Sequence, residues 1–256
     1  KKLLLILLCL PFIGFGQQTY VPDDNFEAYL EANGMGNGVP NDDSVLTANI
    51  NLITELNVSS QSIYDLTGIE DFVSLTELNC SYNSLDTLNL NNINNLIKLE
   101  CERNNLIFLD LVNNLQLTHL NCGMNEIEYL DLSNNNLLTY IHVGFQGSYS
   151  LIYLNLSGVS CQSQNYLNII RFGGTCIQVD DVNCWNNLPN VYGFYPNMGH
   201  YYSLNCPLPL SVSEIKQNKK ILKMVNLFGK EIKANNNEFL FYIYDDGTVE
   251  KKLIIE

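Results

Sequence analysis

The chain has 256 residues and a formal net charge of −14, because 27 acidic residues outnumber 13 lysines and arginines. Such an acidic surface argues against nucleic acid and anionic membrane surfaces as partners, since both would repel it. The length fits one domain or two, and the charge suits solubility outside the cell.

The first 16 residues have the layout of a secretory signal peptide. Lys1 and Lys2 are followed by the apolar run LLLILLCLPFIG, by small residues up to Gly16, and then by polar Gln17-Gln18. A membrane anchor is the alternative, but the run is too short to span a bilayer comfortably. Lipidation of Cys9 is a second alternative, against which the bulky leucines before it argue. We predict cleavage near Gly16 and no membrane span in the mature chain.

Residues 19–45 are predicted to form an N-terminal cap around one short helix. Asp24 is the expected N-cap residue, Glu27 follows three positions later, and Asn33-Gly34 is a stop signal. The apolar side chains that would cover the open end of the next segment are those of Phe26, Tyr29 and Leu30.

The stretch Asn41-Asp42-Asp43 within this cap allows two interpretations. It could be a calcium loop, but the ligand spacing of an EF-hand is absent. A solvated loop is the interpretation that we favour.

Residues 46–157 repeat with a period of about 21 residues. Three consecutive rows, beginning at Leu75, Leu96 and Leu117, share the pattern Leu-x-x-Leu-x-Cys-x-x-Asn-x-Leu/Ile-x-x-Leu-x-Leu. The flanking segments keep most of these columns, with an insertion around residues 147–150, and bring the total to five coils of 21–24 residues. A fixed period of this length predicts a solenoid in which each coil packs on the next.

The repeated pattern resembles the strand consensus of the leucine-rich repeat family, Leu-x-x-Leu-x-Leu-x-x-Asn/Cys-x-Leu. The strings VPDDNFE and LTANIN before it resemble the N-terminal caps of secreted bacterial members. The resemblance implies parallel strands that turn alternate leucines inward, and the half-repeat within each coil predicts extended segments on both faces with little helix. The asparagine column is expected to bond backbone groups at the bend of each coil. Its members are Asn83, Asn104 and Asn125.

A cysteine column departs from the consensus by taking the third apolar position in three coils. Neighbouring parallel strands stand about 4.8 Å apart, whereas the Cβ atoms of a disulfide lie about 3.8 Å apart. We therefore predict buried free thiols that pack as small apolar side chains. They are Cys80, Cys101 and Cys122.

Four further cysteines lie in residues 158–207, where the repeat period is lost. In a secreted protein an even set outside the repeats indicates two disulfides, for which three pairings exist. Zinc binding competes with this interpretation, but the segment contains no Cys-x-x-Cys pair. The segment from CIQVDDVNCWNN to YYSLNC resembles the C-terminal cap of the same secreted proteins. That resemblance implies pairing of Cys176 with Cys206, and hence of Cys161 with Cys184.

The tail, residues 208–256, is richer in lysine, and its segments 220–232 and 239–255 read as strands with a hairpin turn at Asp246-Gly247. The strings NLFGKEI, FYIYDDGTVEKK and KKLIIE resemble the C-terminal sorting domain of proteins exported by the bacterial type IX secretion system. The opening half of that domain, with its Pro-Asn-Pro motif, is missing, so the resemblance is to a truncated form. A small independent β module without a sorting role is the alternative.

The predicted fold is therefore mainly β. It is a leucine-rich repeat solenoid of five coils with parallel strands, N- and C-terminal caps, and a small antiparallel β module at the C-terminus. The expected location is secreted or on the outer cell surface.

The sequence gives no case for an enzyme or a cofactor. It contains no Gly-x-Ser-x-Gly, no His-Glu-x-x-His and no Gly-rich phosphate loop. Glu100, His119 and His142 occupy outward positions on adjacent coils and could meet as a metal site. Scattered polar residues on an exposed face are the interpretation that we favour, so no metal is predicted.

The outward columns of the first strand face point to binding. One column combines residue types that are enriched at protein interfaces, and the second supplies charge beside it. The first is Tyr82, Arg103, Met124 and Phe145; the second is Glu77, Lys98, His119 and Tyr140.

The leading hypothesis from these columns is a secreted protein that binds an extracellular protein. A carbohydrate-binding protein that uses the second face is the first alternative, through Phe108, Tyr129 and Tyr153 beside Asp110 and Asp131. A purely structural surface protein, in which the aromatic rows only stabilise neighbouring strands, is the other.

Overall fold

The chain divides into two compact units, residues 1–206 and 207–256. The computed structural model describes residues 16–144, 151–163, 166–169, 175–187, 201–206, 221–225, 239–244 and 249–253. The predicted signal peptide lies outside these residues except for Gly16. None of the helices in the described ranges is long and apolar enough to cross a membrane.

The first unit opens with an N-terminal cap. Strand β1 (Gln18–Tyr20) pairs antiparallel with β2 (Ser44–Leu46), and between them lies helix α1 (Asp24–Ala32), while α2 (Thr47–Ile50) leads into the repeats. Helix α1 buries Phe26 and Leu30 completely in the solenoid core, and Tyr29 packs beside them. The helix thus covers the open end of the first coil, as predicted.

The N-cap of α1 is Asp23, so the prediction of Asp24 was wrong by one residue. One Asp23 carboxylate oxygen accepts from the backbone N–H groups of Asn25 and Phe26 at 3.0 and 2.9 Å. The other accepts from the N–H groups of Tyr64 and Asp65 in the first coil at 2.7 and 3.1 Å. The same carboxylate therefore caps the helix and ties it to the solenoid, which Asp24, exposed on the first turn, does not do.

The first sheet of the solenoid is parallel and has six strands, one more than the five predicted coils supply. The additional strand lies in the segment assigned to the C-terminal cap. In spatial order the strands are β3 (Glu55–Asn57), β4 (Glu77–Asn79), β5 (Lys98–Glu100), β6 (His119–Asn121), β8 (Tyr140–His142) and β10 (Tyr166–Asn168).

A second parallel sheet forms on the other side of the later coils. Its strands are, in spatial order, β7 (Tyr129–Asp131), β9 (Tyr153–Asn155), β11 (Cys176–Gln178) and β12 (Tyr201–Ser203). In the first three coils, residues 53–116, this side carries no strand, so strands on both faces occur only in part of the solenoid. The remaining elements are short helices: 3₁₀ turns at Ile69–Asp71 and Cys161–Ser163, and α3 (Val182–Asn186).

The leucine columns fill one continuous core, as the period predicted. Each central strand residue is buried, and so are the three repeat cysteines, which form no disulfide. Burial raises the pKa of the Cys80 and Cys122 thiols to about 12. These groups are therefore neutral side chains that pack in the core.

The asparagine column bonds the backbone of successive coils. Asn104 accepts from the N–H of Leu85 at 3.0 Å and donates to the carbonyls of Cys80 and Cys101 at 3.0 and 3.1 Å. Asn125 repeats this arrangement one coil later, toward Leu106. These bonds satisfy buried backbone groups that an apolar residue at the same position would leave unpaired.

Two disulfides close the C-terminal end of the first unit. They join Cys161 to Cys184 and Cys176 to Cys206, with Cα–Cα distances of 6.2 and 5.8 Å. This is the pairing that the resemblance implied, and it leaves none of these four thiols free to hold zinc.

The second unit contains an antiparallel sheet, as predicted. Its strands are β13 (Ile221–Val225), β14 (Phe239–Tyr244) and β15 (Val249–Leu253), with β14 in the centre. The predicted turn at Asp246-Gly247 lies outside the described residues, between the paired ends of β14 and β15.

Candidate binding surface

The outward side of the six-stranded sheet, here called the sheet face, is built by strict register. Each strand has three residues, of which the central one points into the core and the flanking two point outward. Parallel pairing then aligns equivalent residues of neighbouring strands in columns. The first outward column is Glu55, Glu77, Lys98, His119, Tyr140 and Tyr166, and the second is Asn57, Asn79, Glu100, Asn121, His142 and Asn168.

One end of the sheet face is charged and concave. The cap residue Tyr29 and strands β3 to β5 line a hollow of about 400 Å³. Lys98 lies in this hollow and pairs with Glu100 at 3.0 Å, while Glu55 and Glu77 are exposed beside them. Because both ion-paired side chains remain partly exposed, they stay available to charged groups of a partner.

The other end of the sheet face is aromatic. The ring of His119 stacks on Tyr140 with a centroid distance of 3.9 Å, and Tyr140 stacks on Tyr166 at 4.3 Å. His142 meets Tyr166 edge-on at 6.3 Å. These contacts hold the rings in fixed positions, so that little side-chain freedom remains to be lost when a partner binds.

Both histidines of this face are less basic than free histidine. Burial lowers the pKa of His119, although Glu100, 3.5 Å away, acts in the opposite sense. Burial also lowers the pKa of His142, against the effect of Glu102 at 3.9 Å. At neutral pH the aromatic end therefore carries uncharged rings.

The described members of the predicted column, Tyr82, Arg103 and Met124, do not lie on the strands. The strands end three residues earlier, and these three residues adopt a left-handed backbone, with φ of 58°, 55° and 55°. They form a row along the turns at the edge of the sheet face, where the Arg103 guanidinium lies 5.1 Å from the centre of the Tyr82 ring. Phe145 lies outside the described residues.

The aromatic row predicted for the second face is only partly exposed. Phe108 has 56% of its surface exposed, but Tyr153 has only 7%. Tyr153 packs against Cys176 and Cys206, and its hydroxyl donates to Gln178 at 3.2 Å. The prediction of three outward rings was therefore wrong for Tyr153, because the disulfide of the following coil covers it.

The possible metal site of Glu100, His119 and His142 does not assemble. Glu100 faces His119, but His142 faces Glu102 instead. Within the described ranges, the group of three His, Cys, Asp or Glu side chains close enough to share an ion lies elsewhere, in the N-terminal cap.

Two parts of the sheet face were not predicted from the sequence. Tyr166 belongs to the sixth strand, and its context Tyr-Leu-Asn-Ile matches the Tyr-Leu-Asn-Leu of β9, a signal that could have extended the repeat. Tyr29 was assigned only to covering the core, whereas it also lines the hollow.

Comparison with protein-family models finds no match, and neither does comparison with curated proteins. Among solved structures, the chain is similar to the functional domain of InlJ from Listeria monocytogenes, which includes a cysteine ladder. The identity is 25%, the TM-score 0.46, and the match covers 69% of this chain and 47% of that one, so that this chain spans about half of its length.

Two internalins from Listeria monocytogenes are also similar. InlF is 18% identical with a TM-score of 0.42, over 67% of this chain and 68% of its own. InlC2 is 18% identical with a TM-score of 0.29, over 73% of this chain and 99% of its own.

Proposed function

We propose that this chain is a secreted or cell-surface protein that binds an extracellular protein through the sheet face. The observation that carries this proposal is the outward column of charged and stacked aromatic side chains from Glu77 to Tyr166. Tyrosine is enriched at the centres of protein interfaces, where large side chains with few rotatable bonds lose little entropy on binding. A solenoid also offers such columns as one extended surface.

The two ends of the sheet face would make different contributions. The hollow with Lys98 and its surrounding carboxylates would select a partner of complementary charge and increase the association rate. The stacked rings of Tyr140 and Tyr166 would supply the apolar contact that holds the complex. Arg103 and Tyr82 on the neighbouring turns would form the polar edge.

The proposal also includes a role without catalysis and a location outside the cell. Two disulfides form and persist in oxidising compartments, which supports this location. Export would use the type IX machinery, with residues 208–256 as the sorting domain and residues 1–16 as the signal peptide.

Export is tested by the intact mass and cell fraction of the native protein. A product that begins near Gln17 and ends near residue 207, found on the surface or in the medium, is expected. A full-length, unprocessed chain inside the cell would contradict export and, with it, the surface role.

The class of partner is tested with the purified chain, immobilised and exposed to an extracellular extract. We expect binding to disappear when the extract is treated with protease and to survive periodate oxidation of its sugars. The opposite pattern would support the carbohydrate alternative, for which Phe108 and Tyr129 remain available. Absence of binding even to the untreated extract would favour a purely structural role.

A further inference from the structure

Three carboxylates in the N-terminal cap converge on one point. Each of Asp24, Glu27 and Asp43 contributes one carboxylate oxygen, and these three oxygens lie within 4.8 Å of one another. Asp24 and Glu27 are one helical turn apart at the start of α1, and Asp43 directly precedes β2. The cluster therefore joins two elements that are about twenty residues apart in the chain.

Glu27 is the unusual member because it is buried. Only 1% of its surface is exposed. Its Oε1 accepts from the backbone N–H of Asp42 at 3.0 Å. Its Oε2 is shielded from water and has no hydrogen-bond donor among the described residues. A buried carboxylate oxygen without a partner is costly, and such groups call for an ion or water that satisfies them.

The surrounding sequence supplies no cation to satisfy it. Residues 3–97 contain twelve Asp and Glu and no Lys, Arg or His. Asp23, the nearest other carboxylate in the helix cap, is already occupied by four backbone N–H groups. The neutralising charge for the cluster would therefore come from solution.

We propose that Asp24, Glu27 and Asp43 form a Ca²⁺ site that ties the start of α1 to the entry of β2. Calcium takes six to eight oxygen ligands at about 2.3–2.6 Å, so oxygens that share one ion lie at most about 5.2 Å apart, and all three oxygens are within that limit. The exposed Asp24 and Asp43 leave room for water to complete the coordination. Magnesium demands near-ideal octahedral geometry and loses its water ligands reluctantly, so it is the less favoured ion for a site of three carboxylates.

The proposed ligands do not follow the EF-hand spacing, so that sequence pattern does not reveal the site. Asn41 and Asp42 are not ligands, and Asp42 instead accepts hydrogen bonds from Asn37 and Ser44. Only the fold brings Asp43 to the helix. The cap thus gains a metal-dependent link at the end of the solenoid next to the hollow of the sheet face.

The test is a titration of the full chain with CaCl2 after removal of bound metal by a chelator, followed by calorimetry and by thermal unfolding. We expect one site with Kd on the order of 10⁻⁴ to 10⁻³ M, the range of extracellular calcium modules. The melting temperature should rise with CaCl2 and respond at least tenfold more weakly to MgCl2.

Variants locate the site. Asp24→Asn and Asp43→Asn change exposed residues, keep the fold, and should each weaken Ca²⁺ binding by at least tenfold. Glu27→Gln should abolish the response if that variant folds. Glu126→Gln, an exposed carboxylate in the solenoid, is the matched control and should bind like the parent chain. Absence of any Ca²⁺ response in the parent chain would overturn the proposal. An unchanged response in the Asp24 and Asp43 variants would also overturn it.

Discussion

The asparagine column gives the sharpest prediction about stability. Asn104 is 6% exposed and makes three hydrogen bonds to backbone groups of two coils. Asn104→Leu keeps the side-chain size but leaves the N–H of Leu85 without a partner. The two carbonyls each lose one of two donors, because Asn83 and Asn125 also donate to them. The unpaired N–H at about 2 kcal/mol and the two lost carbonyl bonds at about 1 kcal/mol each, less about 2 kcal/mol from the added apolar burial, give a loss of roughly 2 kcal/mol in the free energy of unfolding.

The neighbouring residue provides the control for this measurement. Asn105 is exposed, and its side chain makes one long hydrogen bond, of 3.4 Å, to Asp86. Asn105→Leu should therefore change stability by no more than about 0.5 kcal/mol. Urea unfolding of the oxidised protein, followed by circular dichroism, compares the two. A loss below about 1 kcal/mol for Asn104→Leu would refute the role assigned to the column.

Three further predictions concern the cysteines and a histidine. The double variant Cys176→Ser/Cys206→Ser opens a loop of 30 residues and should lose about 3–4 kcal/mol in the chain-entropy account; an unchanged urea midpoint would contradict this. Alkylation with iodoacetamide, read by peptide mapping, should leave the repeat thiols unmodified in the native protein and modify them in denaturant without reductant; these are Cys80, Cys101 and Cys122. Because burial lowers the pKa of His142, the unfolded chain takes up that proton first as the pH falls below about 6.5, so stability should decrease from pH 7 to 5.5. His142→Gln should reduce this decrease, and an identical pH dependence in both proteins would contradict it.

The repeat columns could be predicted because the period itself encodes the packing. A side chain that recurs every 21 residues meets its equivalent in the next coil, so burial of the leucines, cysteines and asparagines follows from the sequence. The same reasoning predicted the register of Glu77, Lys98, His119 and Tyr140. It did not predict the second asparagine ladder, in which buried Asn135 donates to the carbonyls of Leu111 and Asn114. This column escaped notice because the equivalent position one coil before Asn114 is an isoleucine.

The features that escaped prediction depend on contacts between distant segments. Asp23 and Asp24 are equally good caps by local rules, and the choice is made by N–H groups about 40 residues further on. Tyr153 alternates outward on its strand, yet the next coil and its disulfide cover it. Tyr82, Arg103 and Met124 repeat at the period of the strands, but three-residue strands are too short to include them. The acidic cluster of the cap likewise forms only when β2 returns to the helix.

The central claim is that the sheet face holds a protein partner, and one affinity comparison tests it directly. Lys98→Glu and Tyr140→Ala change the two ends of this face, whereas Phe108→Ala removes an exposed ring elsewhere and serves as the control. All three should unfold at the temperature of the parent chain to within a few degrees. We expect the two sheet-face variants to bind the extracellular extract at least tenfold more weakly, about 1.4 kcal/mol, and the control to bind normally. Weaker binding in Phe108→Ala alone would move the site to the second face and contradict the proposal.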